Sequence, residues 1–224
     1  KILRGKDIGR YSLNNSHLNL LFIPWHFPLN EDTSISGASD IAEKALQTNH
    51  INLYKHLLNY KDKLSSRNKS ETGIRYEWYA LQRCAASYYE LFDKEKILWG
   101  LITGNWGFSL DKEGHYLTSS SFFLTSDEIN LSFLEVLLNS KLYKFYFENV
   151  GELTAGGAYV LKKTSVEKFV YPDGTSKESQ QHFIDKSALM LSLNKELHEI
   201  SQKFQRALER EFALDSLPKK LQNW

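Results

Sequence analysis

KILWGLITGNWGFSLDKEGHYLTSSSFFL, residues 96–124, is where the periodicity of this chain changes. Upstream, apolar residues recur at helical spacing. Here they gather into short runs rich in Trp, Phe, Ile and Leu, separated by Thr103-Gly104-Asn105 and by Asp111-Lys112-Glu113-Gly114. Short apolar runs bounded by turn residues read as strands. Three are expected: Lys96 to Ile102, Trp106 to Leu110 and His115 to Leu124, the last two joined by a hairpin turn.

On the N-terminal side, Ser39 or Asp40 can cap a helix running to about Ser65, with Ile41, Ala45, Leu53, Leu57, Tyr60 and Leu64 at apolar positions. Ser65 to Gly73 contains no apolar residue and reads as a loop; a short helix from Tyr76 to Ala86 follows, presenting Trp78, Tyr79 and Arg83. The apolar run Leu18 to Phe27, bounded by Pro24 and Pro28, reads as a buried strand. On the C-terminal side, Thr125 with Glu128, or Ser132 with Glu135, can form a capping box for a helix ending near Asn149. A strand at Ala158 to Lys162 and a turn at Pro172-Asp173-Gly174 come next. The last element is a helix from about Lys177 to Phe212, with one apolar stripe: Phe183, Met190, Leu193, Leu197, Ile200, Phe204, Leu208 and Phe212. The stripe needs cover, from the globular part or from a partner chain such as a second copy. The expected architecture is α+β. Residues 1–174 form a mixed globular domain with a central β-sheet and flanking helices, and residues 175–224 form a long amphipathic helix and tail.

Composition narrows the function. The 224 residues are 42% hydrophobic and 25% charged, with a net charge of +1. A chain this close to neutral binds nucleic acid only if its cations are locally clustered. One cysteine, Cys84, excludes an internal disulfide framework and a multi-cysteine zinc site, and fits a reducing cytoplasm. The longest apolar stretch, Leu18 to Pro24, is too short to span a bilayer. The chain begins at Lys1 and its sole methionine is Met190, so a fragment of a longer polypeptide is expected.

No catalytic constellation emerges. The glycine cluster Gly151 to Gly157 follows a helix instead of opening one, so it lacks the helix N-terminus that cradles phosphate and reads as a turn. The seven histidines are scattered, and His26 and His115 read as structural. Ser119-Ser120-Ser121 has no glycine elbow, and Asp127 and Glu128 read as helix-start residues. Basic residues are better organised. Arg4, Lys6 and Arg10 lie near the N-terminus. Lys55, Lys61, Lys63, Arg67, Lys69, Arg75 and Arg83 interleave with Tyr76, Trp78 and Tyr79. Arginine suits both phosphate and guanine because its fork bonds two acceptors; a solvated helix face is the alternative.

Leu3-Arg4-Gly5-Lys6-Asp7-Ile8-Gly9-Arg10-Tyr11 resembles the opening of the TaqI-like C-terminal specificity domain. Later landmarks follow in the family's order: Leu58 to Leu64, Arg67, Trp78-Tyr79, Arg83, Lys96 to Trp99, Phe108, Gly114-His115-Tyr116, Leu137 to Lys141, Gly156-Gly157-Ala158-Tyr159, Lys162-Lys163 and Pro172. The resemblance covers roughly residues 1 to 172, with a weaker match around Asn105 to Phe108. The terminal helix is similar to those that follow recognition domains in type IIG enzymes and in type I specificity subunits.

The resemblance implies sequence-specific recognition of double-stranded DNA for a restriction-modification enzyme. An upstream methyltransferase domain of the same polypeptide would use S-adenosylmethionine to methylate adenine N6, and a fused endonuclease would use a divalent metal. Neither a G-x-G cofactor loop nor an Asn-Pro-Pro-aromatic loop occurs here, so no cofactor or metal is expected on this chain. The expected DNA-binding residues are Arg4, Lys6, Arg10, Lys61, Arg67, Arg75, Trp78, Tyr79, Arg83, Lys162 and Lys163, with the arginines and Lys6 gathered along one cleft or face. A type I specificity-subunit fragment and a protein-interaction module built on the terminal helix are the alternatives.

Overall fold

The computed structural model describes residues 1–14, 18–82, 84, 88–172, 174–213 and 216–218. Its elements begin with β1 (Ile2–Leu3), β2 (Ile8–Gly9), β3 (Ser12–Leu13), α1 (Asp40–Asn49), α2 (Ile51–Leu58) and α3 (Lys61–Ser65). They continue with β4 (Lys96–Gly100), β5 (Ile102–Thr103), β6 (Ser109–Asp111), β7 (Tyr116–Leu117), β8 (Ser121–Leu124), α4 (Leu131–Leu138), α5 (Lys141–Val150), β9 (Tyr159–Val160), α6 (Lys163–Val166) and α7 (Lys177–Glu211). Two 3-10 turns, Gly5–Asp7 and Tyr89–Phe92, complete the set. The class is α+β with a long C-terminal helix. Two compact units divide the chain: residues 1–19 with 92–224, and residues 20–91. No helix among the described residues is long and apolar enough to cross a membrane.

The first unit is built round β4, buried at every residue. Strands β6 and β8 flank it, both antiparallel. Period-2 alternation sends Ile97 and Trp99 into one core with Trp106, Phe108, Leu110 and α4. Leu98 goes to the other face, against Leu3 and Ile8. Three strand expectations need correction. The strand expected through Ile102 ends at Gly100, and β5 pairs with β9 in a separate sheet. Trp106 and Phe108 are buried without being strand. The run His115 to Leu124 breaks in two: β7 pairs in parallel with β1, and β8 with β4. Asp111 to Gly114 is therefore not a hairpin turn between paired strands. The Asp111 carboxylate accepts from the N–H groups of Glu113 and His115, at 3.0 and 2.9 Å, and folds this loop onto itself.

The helical stretch expected to end near Asn149 is two helices. Asn130 caps α4 and Ser140 caps α5, each side chain accepting from the N–H three residues on. Neither expected capping box is used: α4 starts at Leu131, after Thr125 and Glu128, and Glu135 is buried. Helix α7 opens on a Ser176 cap and packs on α4, with the Phe183 and Phe133 rings 5.7 Å apart.

In the second unit Ser39 caps α1 as expected, accepting from the Ala42 N–H at 3.2 Å. The single helix read to Ser65 is three helices, broken at His50 and at Asn59–Tyr60. The run Leu18 to Phe27, expected as a buried strand, is not one. The chain turns at Trp25 to Pro28, and Pro24 and Pro28 have no N–H for a ladder. The Trp25 indole donates to Leu81 O at 2.7 Å and the His26 N–H to Glu77 at 2.8 Å. The helix expected from Tyr76 is a turn over residues 76–82; Ala85, Ala86 and Asp173 lie outside the described residues.

Candidate nucleic-acid interface

The motif Leu3–Tyr11 is threaded so tightly through the first unit that its glycines follow from contact. A Cβ on Gly5 would stand 2.7 Å from Ser120 O, and one on Gly107 only 2.6 Å from Arg10 N. Asn139 secures the Gly107 side: its amide accepts from the Phe108 N–H at 3.0 Å and donates to Phe108 O at 2.8 Å. Between these fixed points the chain turns outward as the 3-10 turn, leaving Lys6 exposed.

The three cations of this segment have different commitments. Arg4 grips Asp7 through its backbone N–H and its Nε, both at 2.9 Å. Burial alone would raise the Asp7 pKa. The hydrogen bonds from Arg4 and the charges of Arg4 and Lys6 outweigh it and hold the carboxyl below its usual range. Arg10 is exposed, donates to Asn139 O at 3.0 Å and lies 5.6 Å from the Tyr11 ring centroid. Lys6 makes no ion pair among the described residues. Lys162 and Lys163, also in this unit, are paired with Glu152 at 2.6 Å and Glu167 at 3.4 Å.

In the second unit the aromatic residues singled out from the sequence are core. Trp78 and Tyr79 are buried among Ile23, Leu46, Leu57 and Tyr76. The Trp78 indole donates to Glu43 at 2.8 Å, and the Tyr79 hydroxyl to Phe27 O at 2.9 Å. Neither ring stands on the surface to stack on a base. Lys61 sits 5.0 Å from the Trp78 ring and 3.7 Å from Glu43. Arg67 donates to the carbonyls of Leu64, Trp78 and Ala80, at 3.0, 2.9 and 2.8 Å, so its guanidinium staples the turn that carries Trp78. Arg75 pairs with Glu71 at 3.2 Å and lies over the Trp25 ring. Arg83 lies outside the described residues. Lys55, Lys63 and Lys69 are exposed. The expected six-residue basic set is thus shared between units, Arg4, Lys6 and Arg10 in one and Arg67 and Arg75 in the other.

His26 and His115 are structural, as read, each with its Nδ1 2.9 Å from a carboxylate, of Glu77 and Asp111; two buried polar clusters were not foreseen as clusters. Lys96, Asp111 and His115 form the first. Lys96 Nζ is 2.7 Å and His115 Nδ1 2.9 Å from the Asp111 carboxylate. Burial pushes Asp111 up, but the hydrogen bonds from His115 and Lys96 prevail and bring it to about 2. The available signal was a lysine opening an otherwise apolar strand, with Asp and His four apart around Gly114. Ser109 lies close by in sequence, but its buried Oγ has no hydrogen-bond partner among the described residues, so no serine–histidine pair is seen there. In the second cluster, Glu135 accepts from the Leu110 N–H at 2.8 Å and from the Ser187 hydroxyl. Burial raises its carboxyl to about 7 despite these bonds. Among the described residues no group of three or more His, Cys, Asp or Glu is placed to hold a metal ion. Gly151 ends α5 and Thr154 to Gly157 is a turn.

No curated protein matches this sequence. A domain of unknown function matches residues 176–224, the segment that holds α7. The TaqI-like C-terminal specificity domain matches residues 1–169 of the 224, from the threaded motif through β9 and α6. The chain therefore belongs to the family of TaqI-like C-terminal specificity domains, the part of restriction-modification enzymes that confers DNA sequence specificity.

Proposed function

We propose that this chain grips double-stranded DNA and selects the target for adenine-N6 methylation by a methyltransferase domain of the same polypeptide, in a parent enzyme that also carries an endonuclease. S-adenosylmethionine and the divalent metal would belong to those other domains, and the reading places the protein in the bacterial cytoplasm. The carrying observation is the family match over residues 1–169, anchored at its start by the motif Leu3–Tyr11. Phosphate contacts set register and a few side chains reaching base edges set sequence. Lys6 and Arg10, exposed on the first unit, are the cations of that grip, with Arg4, Lys61, Arg67, Arg75, Arg83, Lys162 and Lys163 in supporting contacts.

The test is selection of bound duplexes from a random-sequence pool by the purified chain, followed by incubation with labelled S-adenosylmethionine. The expected result is enrichment of one short motif and no methyl transfer. Recovery of unenriched DNA would overturn sequence selection, and methyl transfer would overturn the division of labour.

A further inference from the structure

Helix α7 has one side tied to its own unit and another left open. Ser187 is the one buried residue of the helix and bonds Glu135; Leu191 packs on the main core. About a third of a turn around the helix runs a different line: Met190, Leu193, Leu197, Ile200 and Phe204, spaced by three, four, three and four residues. Leu197 is 62% exposed, Ile200 54% and Phe204 55%. A three-four alternation is the seam of a two-stranded coiled coil, which packs knobs into holes of a facing helix. Continued on the same three-four spacing, the line meets Lys186 four residues before Met190, and Ala207 and then Glu211 after Phe204; Lys186 and Glu211 are exposed.

The charges decide what faces this seam. In an antiparallel pair of identical helices centred between Leu197 and Ile200, Leu197 meets the second copy's Ile200, and Leu193 its Phe204. Met190 then meets Ala207. In that register Lys186 faces Glu211 at both ends, and Glu196 and Lys203 flank the seam on neighbouring positions of opposite chains. None of these four charged residues makes an ion pair among the described residues of its own chain. A parallel pair would set Lys186 against Lys186 and Glu211 against Glu211. Sliding the antiparallel pair by a heptad would set Lys186 against Phe204, or Glu211 against Leu193. One register therefore satisfies both the apolar and the charged positions, and it is self-complementary, as a two-fold interface requires.

We propose that a second copy of this chain covers the α7 seam as an antiparallel two-stranded coiled coil with Lys186–Glu211 pairs at its ends. The interface is independent of the DNA reading, so either can fail alone. The test is sedimentation of the 224-residue chain over a concentration series, for the wild type, for Lys186→Glu, for Glu211→Lys and for the double variant. The expected result is a dimer that each single reversal weakens by about tenfold or more through like-charge contact, with the double variant restored. Circular dichroism shows that the helix persists, since both positions are exposed. A wild type that stays monomeric to its solubility limit would overturn the proposal. A dimer that the double reversal fails to restore would overturn the antiparallel register.

Discussion

Glu135 and Asp111 are both fully buried carboxylates, yet their surroundings drive them in opposite directions. Asp111 faces the ammonium of Lys96 and the ring of His115; Glu135 receives hydrogen bonds only from neutral donors. Asp111, lowered to about 2, contributes stability that is present above the unfolded value of about 3.9 and lost as pH falls. Glu135, raised to about 7, works the other way. Its contribution is whole below about pH 4.3 and lost as pH rises through about 7. Glu135 should therefore cost about 3 kcal/mol between roughly pH 4 and pH 8. A glutamine can accept from the Leu110 N–H and donate to Ser187, as the protonated acid does. Glu135→Gln should melt higher than the wild type at pH 8 and show a flatter stability profile from pH 5 upward. Parallel profiles for the two proteins would show that another group titrates.

Short segments in this protein are held by close backbone contact as much as by hydrogen-bonded ladders, and that governs how much the sequence reveals. Gly107 lets the chain at Arg10 pass; Gly104, three residues earlier, has nothing within 4 Å of where a Cβ would stand. Gly107→Ala should lower stability by about 1–3 kcal/mol, while Gly104→Ala should leave it nearly unchanged. Equal unfolding midpoints in urea for the two variants would show that the motif is not pinned. Elements with their own periodicity were legible. Helix α7 announces itself by its stripe, and β4 by its apolar run. Elements whose partners lie far away in sequence were not. Leu117 pairs with Leu3 across more than half the chain, so no local signal separates β7 from β8. Trp78 and Tyr79 look like a stacking surface beside arginines. Only the fold reveals that Arg67 spends its donors on the carbonyls around them. The basic motif at the N-terminus was legible as a motif, but which of its cations is free was not, because Asp7 sits one turn away from Arg4 for reasons of packing.

At the scale of the whole molecule, a net charge of +1 leaves little unspecific attraction for DNA, and many surface cations are already answered by an acid. Lys61, Arg75, Lys162 and Lys163 each have a carboxylate partner within 4 Å. A cation already paired releases few counterions when a phosphate arrives, because the local field is largely cancelled before binding. Lys6 differs: it stands exposed on the 3-10 turn, and the one acid beside it, Asp7, is buried and taken by Arg4. Lys6→Ala should therefore weaken binding to all sequences alike and make the plot of log affinity against log salt shallower by about one unit. Lys162→Ala should change that slope by less, and neither should shift the melting temperature appreciably, since exposed charges contribute little to stability. A salt titration of the wild type and both variants on one target duplex decides the matter. A slope unchanged by Lys6→Ala would remove this residue from the phosphate contacts and leave Arg10 in the same unit, then Lys55, Lys63 and Lys69 in the second, as the exposed cations to substitute next.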